Sequence, residues 1–127
     1  MDANDLETHE IAALIALLQR MVVMDHVITP EETDFVLNLS ESFKPAKYRE
    51  ALALANTKLR TEKGFTELLS GVQRTGARQY IYDQLVGTAA ADSFATAELS
   101  LLVWIEDAWS LSRHPAVAAE WDVKTTV

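Results

Sequence analysis

The sequence contains no cysteine, and only four glycines and three prolines among its 127 residues. Without cysteine it can form no disulfide, no thiolate metal site and no cysteine nucleophile, which excludes iron-sulfur, zinc-thiolate and thiol redox chemistry. The scarcity of glycine and proline, together with 49% hydrophobic residues, argues against a disordered chain. The sequence therefore predicts a folded protein in which any metal ion would meet oxygen ligands.

Long apolar runs and an excess of positive charge are also missing. The longest uninterrupted apolar stretch, Ile11 to Leu18, is far shorter than the roughly 20 residues that a membrane-spanning helix requires. A net charge of -8 disfavours binding to phosphate backbones. The first residues are acidic where a secretory signal carries positive charge. We therefore expect no membrane span, no nucleic-acid partner and a cytoplasmic location.

Apolar residues recur at helical spacing along most of the chain, and no segment alternates as a strand would. A chain of this length supports one hydrophobic core. We predict an all-α fold, with residues 1-127 forming one domain, a compact bundle of six or seven helices. The expected helices cover residues 5–24, 30–44, 45 to a break at 60–64, 65–73, 77–91, a segment capped by Thr96, and 115–121.

An acidic turn signature occurs twice, each time after an apolar helical run and before a new one. The first copy reads Asp25-His26-Val27-Ile28-Thr29-Pro30-Glu31-Glu32, and the second Asp92-Ser93-Phe94-Ala95-Thr96-Ala97-Glu98. In both, an aspartate stands where a helix should end, and a threonine and a glutamate stand where the next should begin. The repetition predicts two pseudo-repeated acidic helical hairpins.

The two halves superpose with a shift of about 66 residues beyond the turns. This shift pairs Glu32 with Glu98, and Phe43 with Trp109. The aspartates require a shift of 67, so we interpret the second turn as one residue shorter, because packing positions constrain register more than a loop does.

The doubled carboxylates have a structural and a functional interpretation. An aspartate can brace a turn by accepting backbone hydrogen bonds, and a glutamate at a helix start is favoured by the helix dipole. However, an aspartate at a helix end opposes the dipole at a cost of about 0.3–1 kcal/mol. If the fold brings the turns together, the carboxylates would form a site for a hard divalent cation such as Ca2+ or Mg2+. The candidate metal ligands are Asp25, Glu32, Asp92 and Glu98.

Charge is segregated along the chain. Residues 1–34 carry a net charge of -7, residues 35–80 carry +4, and residues 81–127 carry -5. Such a distribution is typical of solvated helix faces, and it also suits a protein that presents an acidic and a basic surface to partner proteins.

Other motifs give little support for catalysis. The histidines are scattered, the serines lack a nucleophile-elbow sequence, and no further cofactor-binding motif is complete. Trp104, Trp109 and Trp121 suggest a ligand pocket, although aromatic residues on helices usually fill cores. We expect no enzymatic activity and no organic cofactor.

At the two acidic turns the chain resembles the TerB-like family, which is named after tellurite-resistance proteins. The resemblance spans roughly residues 8–112, and the family's usual Asp-Gly turns are replaced by Asp25-His26 and Asp92-Ser93. It implies an all-helical domain, acidic turns that engage divalent cations, and a place in bacterial stress or tellurite-resistance systems.

The leading hypothesis is therefore a non-catalytic accessory domain that binds a divalent cation and docks onto partner proteins. Two alternatives remain open. One is a pure protein-protein interaction domain with structural turns and no metal. The other is a small-molecule-binding helical protein or enzyme with a pocket among the tryptophans, which a well-formed polar cavity beside Trp104 would favour. The identity of the ion and of the partner, and the oligomeric state, are not set by the sequence.

Overall fold

The computed structural model describes residues 3–25, 38, 40–90 and 96–125. Within that part the chain forms six α-helices and no strand, which confirms the all-helical prediction. A short 3-10 turn, Ala3–Asp5, precedes the first helix. The helices are α1 Thr8–Asp25, α2 Pro45–Lys58, α3 Glu62–Ser70, α4 Thr75–Ala90, α5 Thr96–Trp109 and α6 Pro115–Thr125.

Several helix boundaries follow from local chemistry. Pro45 opens α2 as predicted, because its missing N–H costs nothing at the first helical position. α3 begins earlier than predicted, since the Thr61 hydroxyl oxygen accepts a hydrogen bond from the backbone N–H of Gly64, at 3.0 Å, and caps the helix. α4 begins at Thr75, two residues before the predicted start at residue 77, so Gly76 lies inside its first turn.

The corners of the predicted hairpins lie outside the described residues. These corners comprise residues 26–31 and 92–95, and most of the predicted second helix is also outside. The pseudo-repeat therefore stays a prediction. Phe43, which the repeat aligned with Trp109, is 6% exposed, and so contributes to the core.

α1 is the central helix of the described bundle. Every residue from Ile11 to Leu18 is buried, and α1 contacts α2, α3, α4 and α5. This segment of α1 is therefore enclosed on all sides. Its apolar residues belong to one continuous core with those of the other helices.

α1 runs antiparallel to both α3 and α5. Near its carboxyl end, Arg20 lines the same cavity as Glu62 of α3 and Ser100 of α5. At the opposite end of the bundle the Trp109 indole N–H donates to the Leu69 carbonyl oxygen, at 3.3 Å. A methyl group placed on Gly71, just after α3, would lie 3.8 Å from His9 of α1. The end of α1 and the start of α5 therefore lie at the same end of the bundle.

Candidate functional site

The four predicted metal ligands are described to different extents. Glu32 and Asp92 lie outside the described residues, and Asp25 is the last residue of α1, with a side chain that also lies outside the description. Glu98 lies in the first turn of α5 and is 1% exposed. Burial of a carboxylate requires compensating positive charge or hydrogen-bond donors, and a helix amino terminus supplies part of that compensation.

Backbone geometry relates two of these positions. Asp25 follows Arg20 by five residues of α1, and Glu98 precedes Ser100 by two residues of α5. At a rise of about 1.5 Å per residue, these positions lie about 7.5 Å and 3 Å along their helices from the shared cavity. Because the helices are antiparallel, both displacements point toward the same end of the bundle.

The cavity itself lies between α1, α3 and α5 and has a volume of about 250 Å³. Its apolar surface includes Phe65 and Leu101, which are 3% and 6% exposed, and Trp104, which is 47% exposed. Trp104 is the only large apolar side chain that is exposed within the described part of the chain. The lining residues are Arg20, Glu62, Phe65, Thr66, Ser100, Leu101 and Trp104.

Arg20 connects the polar and apolar walls of this cavity. One guanidinium nitrogen lies 2.8 Å from the Glu62 carboxylate, and the guanidinium carbon lies 4.0 Å from the centre of the Phe65 ring. The Phe65 and Trp104 rings are stacked, with centroids 6.4 Å apart and planes inclined by 17°. The cavity thus combines an aromatic surface with a pair of opposite charges at its edge.

The three tryptophans have different environments. Trp109 is 4% exposed and donates its indole N–H to the Leu69 carbonyl oxygen, as expected of a core aromatic residue. Trp121 is half-buried, near the guanidinium of Arg113. Trp104 is the exception, because it lies beside an open cavity. Helical periodicity did not identify Arg20 or Glu62 as its neighbours, since they are 84 and 42 positions away in the sequence.

The opposite side of α5 carries a buried polar network. Glu106 is 4% exposed and accepts hydrogen bonds from the Tyr82 hydroxyl, at 2.5 Å, and from the Arg113 Nε, at 2.8 Å. The backbone N–H of His114 donates to the Tyr82 oxygen, at 3.0 Å. Burial and the hydrogen bond to Glu106 raise the pKa of the Tyr82 hydroxyl well above its usual value. This network joins α4, α5 and the start of α6.

A third buried carboxylate, Glu10, lies near the start of α1. Glu10 accepts hydrogen bonds from the guanidinium of Arg74 and from the backbone N–H of Glu7, the latter at 2.8 Å. Arg74 also donates to the backbone oxygen of Asp5, at 2.8 Å. Burial alone would raise the pKa of Glu10, but these hydrogen bonds and the charge of Arg74 outweigh it and lower that pKa. The arrangement fastens the first turn of α1 to the segment before α4.

His114, next to the Glu106 network, acts as a helix cap. His114 Nδ1 accepts a hydrogen bond from the backbone N–H of Ala116, at 3.0 Å, at the start of α6.

Within the described ranges no group of three or more histidine, aspartate or glutamate side chains is placed to hold a metal ion. Because Glu32, Asp92 and the side chain of Asp25 fall outside those ranges, the predicted metal site stays a prediction.

The comparisons with known proteins do not identify a relative. No family model, no curated protein and no solved structure matches the chain. The resemblance to the TerB-like family therefore stays an expectation based on the two turn motifs. None of the described helices is long and apolar enough to cross a membrane.

Proposed function

We propose that this chain is a non-catalytic, TerB-like accessory domain of the cytoplasm that binds a divalent cation through its acidic turns and docks onto partner proteins. The proposed ligands are Asp25, Glu32, Asp92 and Glu98. The proposed ion is Ca2+ or Mg2+, because carboxylate oxygens are the ligands that these hard cations prefer. The proposed context is a stress or tellurite-resistance system.

The observation that carries the proposal is the position of two of the four ligands. α1 ends at Asp25 and α5 begins two residues before Glu98, at the same end of the bundle. Glu98 is also almost fully buried, where a carboxylate gains much from a neighbouring positive charge. A cation shared by the two turns would supply that charge.

The test is a titration of the purified protein with Ca2+ and with Mg2+, followed by 1H-15N NMR. Extracellular modules with few ligands bind Ca2+ at about 0.1–1 mM, so the titration should extend to about 10 mM. We expect the backbone signals around Asp25 and Glu98 to shift together along one saturable curve. The variants Asp25→Asn and Glu98→Gln should each weaken the binding.

A matched control is Asp107→Asn, which removes one carboxylate from an exposed position of the same helix as Glu98. It should leave the cation affinity unchanged. Sodium chloride of equal ionic strength should not reproduce the shifts, because a screening effect is not saturable at one site. The cation part of the proposal fails if the ion leaves both regions unshifted at about 10 mM, or if Asp25→Asn does not change the curve.

The alternative of a pure interaction domain makes the opposite prediction for these variants. Four exposed basic residues lie on or beside α2 and α3, namely Lys44, Arg49, Arg60 and Lys63. If this basic region alone carries the function, neutralising it should abolish partner binding, while Asp25→Asn and Asp92→Asn should have no effect. The remaining alternative, a small-molecule site, would use the cavity beside Trp104.

A further inference from the structure

The cavity beside Trp104 has the composition of a protein-docking site. Its surface combines two nearly buried apolar residues, Phe65 and Leu101, with a half-exposed tryptophan. Tryptophan and arginine are enriched among the residues that contribute most to binding in protein interfaces, and both line this cavity. A ligand that covers Trp104 would bury the only large apolar side chain that the described part of the chain leaves exposed.

The size of the cavity indicates what enters it. Small-molecule sites usually have volumes of roughly 300–1,000 Å³ and enclose most of their ligand. The cavity beside Trp104 has about 250 Å³ and is open to solvent on one side. It is therefore better matched to one large apolar side chain of a partner than to a complete small molecule.

The charges around the cavity indicate the character of the partner. Arg20 lies in the wall, and Arg60 and Lys63 are exposed at the start of α3, which forms another wall. Residues 35–80, which include α3, carry a net charge of +4, whereas the segments that contain α1 and α5 carry -7 and -5, so the basic character of the cavity comes from the start of α3 and from Arg20. A segment with acidic residues on both sides of its apolar residue would be attracted to this region, while a second copy of the chain would meet the overall repulsion of two acidic molecules.

The ion pair at the edge of the cavity can be exchanged. Glu62 is 79% exposed, and an exposed salt bridge contributes little to stability. Arg20, by contrast, is held over the Phe65 ring and is 31% exposed. An incoming carboxylate can therefore replace Glu62 on the guanidinium of Arg20 without loss of the cation-π contact.

We propose that this cavity, defined by Arg20, Phe65, Leu101 and Trp104, is the docking site for an acidic segment of a partner protein, which inserts one large apolar side chain. The inference rests on the docking part of the proposed function. It names the docking surface and the chemistry of the segment that binds there.

The test uses three nine-residue, fluorescein-labelled peptides and the full chain in EDTA. The first peptide has a central leucine between aspartates, the second replaces the leucine with alanine, and the third replaces the aspartates with lysines. Affinity is measured by fluorescence anisotropy. Binding is located by the indole N–H signals in 1H-15N NMR, with the Trp104 signal assigned from Trp104→Phe. We expect the acidic leucine peptide to bind and to shift the Trp104 signal.

Variants of the cavity should change this affinity in both directions. Trp104→Ala should weaken binding on the order of 30-fold, the size typical of a central interface tryptophan. Glu62→Gln should strengthen binding about threefold, because it frees Arg20 for the peptide carboxylates. A gain of affinity from Glu62→Gln is not expected if the ion pair only stabilises the fold.

Two matched controls separate local from general effects. Trp121→Ala removes a tryptophan from α6, outside the cavity lining, and should leave binding unchanged. The pair Arg60→Gln and Lys63→Gln should weaken binding more than the pair Lys44→Gln and Lys47→Gln, which removes the same charge from the other end of α2. The amino end of α2, where Lys44 and Lys47 lie, is about 20 Å along the helix from the carboxyl end near Arg60 and Lys63. This distance exceeds the screening length of about 8 Å at physiological salt.

Several results would overturn the proposal. One is an unshifted Trp104 signal at millimolar acidic leucine peptide, and another is equal binding of the alanine or the lysine peptide. A Trp104 signal that moves with protein concentration alone would instead identify a second copy as the occupant. A shift with free indole but with no peptide would identify a small-molecule site. Loss of cation binding together with retained peptide binding would refute only the metal part of the proposed function.

Discussion

The two sides of α5 differ in how their polar groups are placed. On one side Glu106 is enclosed and accepts hydrogen bonds from Tyr82 and Arg113. On the other side Trp104 lies beside an open cavity with a charged pair at its edge, in which Glu62 is largely exposed and Arg20 is half-buried. One helix therefore presents a closed, stabilising surface to α4 and α6 and an open surface to solvent. The difference lies in the two carboxylates, because Glu106 is enclosed and Glu62 is largely exposed, whereas Arg113 and Arg20 are similarly accessible. An enclosed carboxylate is held by its partners, and an exposed one can exchange them.

Among substitutions on the closed side, Glu106→Ala should lower the stability of the protein most. This change leaves the buried Tyr82 hydroxyl without its acceptor and removes the partner of Arg113, at an expected cost of about 3 kcal/mol in the free energy of unfolding. Urea denaturation measures this change in the free energy of unfolding. Asp107→Ala, one residue along and exposed, is the control and should cost less than about 0.5 kcal/mol. Equal effects of the two changes would mean that the Glu106 network does not stabilise the bundle.

Gly64→Ala should be the most damaging change in α3, the helix that lines the cavity on the open side of α5. A Cβ atom at Gly64 would lie 2.1 Å from the backbone oxygen of Lys58, so α3 must move away from the end of α2. We expect a loss of about 2 kcal/mol in the free energy of unfolding. Gly71→Ala meets its nearest atoms at 3.4 Å and should be tolerated, which makes it the control. Comparable destabilisation by both substitutions would contradict the close approach of α2 and α3.

Alkaline pH should weaken the closed side alone. Burial and the bond to Glu106 raise the pKa of Tyr82 in the folded state. Its contribution is therefore fully present below the unfolded pKa of about 10, and it is lost as pH rises through the folded value, by up to about 1.4 kcal/mol per pH unit. Urea midpoints between pH 9 and pH 11, roughly bracketing that unfolded pKa, measure the effect. Tyr82→Phe should flatten the curve, and an unchanged slope in that variant would assign the effect elsewhere.

Ser110→Gly should stabilise the carboxyl end of α5, close to Arg113 of the closed side. Ser110 has a φ of 55°, a left-handed conformation that glycine adopts without strain. The backbone N–H of Leu111 donates to the Glu106 carbonyl oxygen, at 2.9 Å, which is the bond expected after such a helix end. We expect a gain of about 0.5–1 kcal/mol by thermal denaturation. Ser112→Gly is the control and should give no gain; a loss in Ser110→Gly would contradict the assigned conformation.

The smallest expected effect is the coupling between Arg20 and Glu62 on the open side. A double-mutant cycle with Arg20→Ala and Glu62→Ala should give a coupling below about 0.5 kcal/mol, because the carboxylate is 79% exposed. The same cycle with Glu106→Ala and Arg113→Ala should give a larger value. A reversed order would remove the contrast between the two sides of α5.

The sequence predicted the helices better than the sites. Helical periodicity and Pro45 were sufficient for the fold class and for the start of α2, because both depend on residues close in the sequence. The start of α3 was missed because the capping by Thr61 competes with the break suggested by Gly64. The cavity was not predictable, since Arg20, Glu62 and Trp104 meet only after α1, α3 and α5 pack. Periodicity also does not identify Tyr82 as the partner of Glu106, since the two residues lie on different helices.

The enclosure of α1 has a consequence for the dynamics of the bundle. Its residues from Ile11 to Leu18 are surrounded by four other helices, so their backbone amides can meet water only when those helices separate. These amides should be the last to exchange hydrogen for deuterium, at a rate set by global unfolding. Amides along α6, whose main contacts among the described helices are with α4 and α5, should exchange sooner.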